Sequence, residues 1–322
     1  MLRGVRIWAV SSAVAGSAGP VGGLLAQADW RWIFLINVPI GLVTLASAAR
    51  HIPAIARATA ARVPSPAATA LVIIAIGALS LGVVKGQDWG WTDGRVLLSW
   101  AVALLAGAAF TVVNRRSAMP VIDLALFRDR MFSGANLAMV LGAVALAMQL
   151  LGVSLFLQQT WHWSPIATGA AVAPAPLATF AAAKVAPRLL ANLRPATMAA
   201  IGFLVIAAGQ VLISLSLGGA HSHDYAIAIL PGWIVAGIGG GLAVPTITGL
   251  ATVDLPPEAS ATGSAVLQMA RQLGSVLGTS VLVAILGTAV ATGTATAFLR
   301  AWWISVACYM AAAGVAAWLT RR

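Results

Sequence analysis

The sequence predicts an all-α fold, a polytopic membrane helix bundle of about ten spans. Three observations carry this: scarce charge, recurring apolar stretches, and the one-sided placement of the charges that remain. Of the 322 residues, 8% are charged and 60% hydrophobic, with a mean hydropathy of +0.94. A water-facing surface needs roughly 25% charged residues, so most of this surface must face lipid. Apolar stretches of about 20 residues recur along the chain, the length that crosses a bilayer as helix. Ser, Thr, Ala and Gly are frequent inside these stretches. Helices in lipid pack through small residues, so a dense bundle is expected rather than a few isolated anchors.

Taken in order, the spans are expected at about 7–26, 32–50, 67–84, 95–113, 131–157, 165–184, 197–217, 225–250, 260–287 and 299–319. An even number puts both termini on one side. One set of loops and termini holds fourteen basic residues: Arg3, Arg6, Arg50, Arg57, Arg62, Arg115, Arg116, Arg128, Arg130, Lys184, Arg188, Arg194, Arg321 and Arg322. The opposite set holds four, Arg31, Lys85, Arg95 and Arg300, and Arg271 falls within a span. Cytoplasmic loops retain the basic residues, so both termini are expected in the cytoplasm of a multi-pass cell-membrane protein, at the inner membrane. Trp30, Trp32, Trp89, Trp91, Trp161, Trp163, Trp302 and Trp303 fall at outer span ends, where an amphipathic ring suits the headgroup layer.

Two connections stand out. Residues 51–66 are rich in Ala, Arg and Pro and are expected as a cytoplasmic linker. Residues 114–130 mix charged and apolar residues, the pattern of a second cytoplasmic linker that lies along the membrane as a short amphipathic segment. They set apart residues 67–113, two central helices, from a six-helix bundle over 131–322. Arg3 and Arg6 ahead of an apolar stretch also match the layout of a signal peptide. Against that, the stretch contains GSAGPVGG and runs straight into another apolar span.

The net charge of +11 does not indicate nucleic acid, because the basic residues come in twos and threes between apolar runs. Cys308, the single cysteine, excludes disulfides and a cysteine zinc site within the chain. His221, His223 and Asp224 have no further His or Cys nearby, and read as a solvated loop ahead of a metal site. No catalytic triad, metallohydrolase or nucleotide motif is present, so an enzyme is not expected and no cofactor is implied.

Residues 16–25 read GSAGPVGGLL. Gly16, Gly19, Pro20, Gly22 and Gly23 give one helix a bare, kinkable surface, since Pro20 lacks an N–H and glycines admit a close neighbour. Glycine spacing alone fits a generic helix contact. A short loop carrying Asp29 follows, and then WRWIFLINVPIG, which includes Trp30, Arg31, Trp32, Asn37, Pro39 and Gly41. The pair resembles the major facilitator superfamily, in particular its fourteen-span drug:proton antiporter branch (the EmrB/QacA type). There, a GPxxGG antiporter motif occupies the fifth span and WRWIFxINVPIG opens the sixth. KGQDWGW at 85–91 resembles the outer loop of the branch's two extra central helices. PVIDLALFRDRMF at 120–132 resembles the approach to its ninth span, and residues 255–278 resemble its thirteenth.

The resemblance implies an incomplete major facilitator fold. In its register the first span here matches a fifth span, so four spans are expected to be missing ahead of Met1. Residues 1–50 then form the last two helices of an N-terminal bundle. The implied function is proton-coupled multidrug efflux by alternating access, exporting amphipathic or cationic small molecules, with the proton gradient driving the full-length form. The alternative is a truncated remnant with no transport of its own. Expected partners are a small-molecule substrate and the lipid bilayer; oligomeric state is not legible. The antiporter motif would pack two helical halves and suppress leak.

A proton site in such a fold usually needs a carboxylate within the membrane. All eight acidic residues fall in loops or at span ends. Arg271 is the one charge inside a span, roughly 18 Å along a helix beginning near Ala259. It either faces an anion, a carboxylate or helix-end carbonyls, or snorkels to the inner interface. Asn136, Gln149, Gln268 and Gln272 are candidate polar cavity residues alongside Arg271, and each also suits interhelical hydrogen bonding. Gly232, Gly237, Gly239, Gly240 and Gly241, with Pro245, mark a close-packed or hinged helix.

Overall fold

The computed structural model describes residues 22–25, 29, 31–51, 65–117, 120–190, 192–218, 224–253, 255, 257–287 and 294–321. Beside a short helical stretch at 22–25, they form twelve α-helices and a single 3-10 turn. The helices are α1 (Trp32–Leu35), α2 (Asn37–His51), α3 (Pro66–Trp89), α4 (Gly94–Arg116), α5 (Arg130–Gln159) and α6 (Pro165–Val172). After them come α7 (Pro174–Leu189), α8 (Pro195–Gly218), α9 (Tyr225–Ala228), α10 (Leu230–Leu250), α11 (Pro257–Gly287) and α12 (Thr294–Trp318).

Among the described residues, eight helical segments are long and apolar enough to cross a membrane: Pro66–Gly86, Gly94–Arg116, Arg130–Gln159, Pro165–Ala186, Pro195–Leu217, Tyr225–Leu250, Thr262–Gly287 and Ala295–Trp318. They coincide with the last eight expected spans. The expected second span is helical as α1 and α2, and Ile36 between them keeps right-handed helical angles. Of the expected first span, only residues 22–25 are described, and they are helical.

Local chemistry explains the helix ends. Orphan N–H groups at a helix start need acceptors. Ser65, Asp93, Asp129, Ser164 and Asp224 supply them to α3, α4, α5, α6 and α9. Pro66 and Pro165 then occupy first-turn positions, where a missing N–H is harmless. Pro174 and Pro231 split two of the spans, into α6 with α7 and α9 with α10, because neither can donate back one turn. Gly90 closes α3 at φ 93°, a conformation glycine adopts without a Cβ clash. At the end of α12, the Arg130 guanidinium donates to Trp318 O at 2.6 Å and lies 3.7 Å from the Trp318 ring centre. Arg194 donates to Thr320 O at 3.2 Å, so cations meet the carbonyl end of the helix dipole.

In the bundle, α5 packs on α11 and α12, α8 on α10 and α12, and α10 on α7. The α3–α4 hairpin rests against α11 through α3. Much of the α2, α3 and α4 surface is exposed Leu, Ile and Val, including Leu42, Val43, Ile73, Leu104 and Leu105, as lipid-facing helices require. The segment before α5 is tied to the bundle. Asn114 donates to Ile122 O at 2.6 Å and accepts from Val121 N at 2.8 Å. Ile122 and Phe132 share a core with Phe110 and Val266.

The seams between helices are backbone contacts. A Cβ on Gly209 would stand 2.5 Å from Gly232 O, and one on Gly232 would stand 2.5 Å from Gly209 O. Two turns along, a Cβ on Gly239 would stand 2.5 Å from Ile206 N and 2.6 Å from Gly202 O. The opposite face of α10 lays Gly237 on Ala175 O and Gly241 on Thr179 O. A Cβ on Gly274 would stand 2.5 Å from Val140 O and one on Gly278 would press on Val144 O, so α11 and α5 run parallel in a fixed register. One expectation differs: Trp302 is fully buried, with its ring 5.4 Å from Phe156, instead of lying in the headgroup layer. Its neighbour Trp303 is exposed. Period 3.6 turns adjacent residues to different faces, and Trp302 took the inner one.

Candidate functional site

Beside these seams lies an apolar cavity of about 300 Å³. Its wall comes from α5 (Met139, Leu146), α7 (Pro176), α8 (Phe203, Ile206) and α10 (Trp233). The small residues of the seams line it too, among them Gly142, Gly237 and Gly240. Close packing thus draws the helices together at the glycines while the large side chains prop the space open. Thr179 Oγ1 donates to Gly237 O at 2.9 Å and ties α7 to α10 at the rim. Trp233 Nε1 donates to Val172 O at 3.0 Å, which fixes the plane of the indole.

Polar groups in the cavity are few. The Tyr309 hydroxyl donates to Gln149 Oε1 at 2.8 Å, and both side chains are buried. Gln149 Nε2 keeps no hydrogen-bond partner among the described residues. Arg271, on α11, lines the cavity from an exposed position. Neither Asp nor Glu lines it.

Six aspartates are occupied at helix ends. Asp93, Asp123, Asp129 and Asp224 accept from backbone N–H groups at 2.8–2.9 Å. Asp29 accepts from Arg31 N at 2.9 Å, and Asp88 pairs with Lys85 at 2.8 Å.

The sequence-derived polar candidates separate. Gln149 and Arg271 share the cavity. Gln268 and Gln272 face a different cleft, between α3 and α11, with Ile76, Ser80 and Met269. Asn136 is buried and donates to Phe132 O one turn back at 2.8 Å, and it lines neither space. Of the antiporter-motif glycines, Gly16, Gly19 and Pro20 lie outside the described residues. Gly22 has open space at its Cβ position. Gly23 is buried, and a Cβ there would stand 2.6 Å from Pro165 O at the start of α6. Trp30 lies outside the described residues, while Arg31, Trp32, Asn37, Pro39 and Gly41 are exposed on and beside α1 and α2.

Sequence reasoning missed Tyr309, Thr179 and Gln210. Tyr309 is one of two tyrosines in the chain and sits in an apolar run. A phenol in hydrocarbon needs a partner, and that need was the available signal. Gln210 is fully buried on α8, and neither side-chain polar atom has a partner among the described residues.

Comparison with known proteins places this architecture. The profile of the Major Facilitator Superfamily matches residues 3–279. The chain is 32% identical over 287 residues to the methylenomycin A resistance protein of Streptomyces coelicolor, covering 88% of this chain and 59% of that protein. It is 31% identical over 277 residues to the multidrug resistance protein B homolog of Mycobacterium tuberculosis, covering 83% and 51%. It is 32% identical over 296 residues to the tetracenomycin C resistance and export protein of Streptomyces glaucescens, covering 89% and 53%. The chain therefore spans about half the length of these curated relatives. An all-α bundle with eight membrane-length segments and a profile match over most of its length identify the chain as a multi-pass membrane protein that belongs to the major facilitator superfamily.

Proposed function

We propose that the protein acts in membrane transport, as part of a proton-coupled efflux antiporter that moves amphipathic or cationic small molecules by alternating access. The observation that carries this reading is the apolar cavity walled by α5, α7, α8 and α10, with only a few polar groups set into it. Such a lining holds drug-sized molecules through apolar contact and orients them through sparse polar contacts. The glycine seams on both faces of α10 supply smooth surfaces on which helices slide without losing contact. Relatives named for drug resistance and export support the same direction. In this reading the chain lies in the cell membrane with both termini in the cytoplasm, and Gly16, Gly19, Pro20, Gly22 and Gly23 form the packing surface between helical halves. Residues 131–322 form one six-helix bundle, 67–113 two added helices, and 1–50 part of a second bundle.

The test is dye transport in inverted membrane vesicles that contain the protein. Dye should accumulate when the vesicles are energised and leave when a protonophore collapses the proton gradient. Dye movement unaffected by the gradient sinks proton coupling, and no movement of any amphipathic dye sinks the transport reading.

A further inference from the structure

Among the described residues, the cavity lining carries one fixed charge, and that charge is positive. Arg271 has no hydrogen-bond or ion-pair partner among the described residues, and no acidic side chain shares the lining. Six aspartates lie at helix ends, engaged there with backbone N–H groups or with Lys85. A guanidinium beside apolar walls at membrane depth is costly without a counter-charge. Its planar fork of donors matches a carboxylate with two parallel hydrogen bonds.

A second observation is independent of Arg271. Gln149 is 1% exposed, lines the same cavity, and leaves Nε2 as an unpaired donor. A buried donor without an acceptor is destabilising, and an oxygen atom of a ligand in the cavity removes that cost. Gly274 sits opposite Val140 and Gly278 opposite Val144. This register puts Arg271 about twelve residues, and hence ~18 Å of helix rise, to the N-terminal side of Gln149's level on α5. Met139, Leu146, Phe203, Ile206 and Trp233 line the space with them. The cavity is therefore an apolar sleeve with a cation towards one end and an amide donor towards the other.

We propose that this cavity takes amphipathic organic anions: an apolar body whose acidic group rests on Arg271, with room for an oxygen acceptor at Gln149. The inference rests on the transport reading of the same cavity and narrows its substrate class. An organic cation would instead be repelled by a positive charge that no described carboxylate offsets.

Three probes with one ring system separate charge from shape: 9-anthracenecarboxylate, 9-anthracenecarboxamide and 9-(aminomethyl)anthracene. Each is titrated at neutral pH onto the chain in uncharged phosphatidylcholine nanodiscs, read by fluorescence anisotropy, with empty nanodiscs subtracted. The carboxylate should bind about ten-fold more tightly than either other probe. Arg271→Gln should remove that advantage while carboxamide binding holds within about two-fold, which also shows that the variant has folded, and Arg271→Lys should keep part of it. Equal or tighter binding of the ammonium probe overturns the proposal. So does an unchanged carboxylate preference in Arg271→Gln, or failure of all three probes to bind the unmodified chain. The ranking on the unmodified chain decides the matter even where a variant does not fold. Gradient-driven dye movement is a separate readout: its loss with the anion preference intact removes the transport reading and leaves the ligand class standing.

Discussion

The Gln149–Tyr309 hydrogen bond links two buried polar side chains of the cavity, and it joins α5 to α12 across the bundle. Removing the phenol leaves the amide buried with no partner, at a cost of about 1 kcal/mol. Tyr309→Phe should therefore lower the midpoint of thermal unfolding in detergent, and adding Gln149→Leu should recover much of the loss. A double variant no better than Tyr309→Phe alone would show that the hydrogen bond was not the cause. Gln210 makes the opposite case. Its amide is fully buried and unpartnered among the described residues, so it contributes a desolvation cost and little else. Gln210→Met, which keeps a long unbranched chain, should raise the same midpoint by an amount equivalent to about 1 kcal/mol. A clear drop would mean that the amide serves a partner within the bundle.

At the scale of elements, the glycines divide into those pressed on backbone and those facing open space. Gly274 and Gly278 on α11 touch carbonyls of α5, which cannot rotate away as a side chain can. Gly107, Gly249 and Gly314 have nothing near their Cβ positions. Gly274→Val or Gly239→Val should separate the paired helices and cost several kcal/mol, visible as aggregation or a broad, early-eluting peak in size-exclusion chromatography. Gly107→Ala should leave the protein monodisperse, because alanine favours helix by about 1 kcal/mol over glycine and meets no neighbour. If both classes of substitution behaved alike, the seams would not be what holds α5 to α11 and α8 to α10. The Asp N-caps belong to this scale too. Asp129→Ala frees the N–H of Phe132 and should cost about 1 kcal/mol, measured as an earlier thermal transition.

For the whole molecule, the distribution of Lys and Arg sets an orientation that labelling can check. In a Cys308→Ser background, a cysteine at Ser117 should react with a membrane-impermeant maleimide only after the cytoplasmic face is opened. A cysteine at Thr92 should react in intact cells. The reverse pattern would invert the topology expected from the basic residues. The orientation bears on the cavity, because it decides which end Arg271 occupies during a transport cycle.

Much of the architecture was legible without coordinates. Eight of the ten expected spans coincide with helical segments long and apolar enough to cross a membrane, since a bilayer demands about 20 apolar residues in helix and allows few alternatives. Pro66, Pro165, Asp93 and Asp129 marked helix starts through local chemistry that needs no partner from elsewhere in the chain. Arg271 was legible as the one charge within a span, and Gln149 as one of several polar residues inside them.

Which of those residues meet was not legible. Gln268 is three residues before Arg271 on the same helix and Gln272 is the next residue after it, yet both turn towards α3 while Arg271 lines the cavity. Sequence by itself determined the helical class and the membrane-length segments, because both follow from hydrophobicity and helix propensity along the chain. Only the tertiary structure decided that Tyr309 reaches Gln149, that Trp302 is buried while Trp303 is not, and that Arg271 lines the cavity. Those outcomes depend on the rotation of each helix about its own axis, and that rotation is set by which glycines find a partner's backbone.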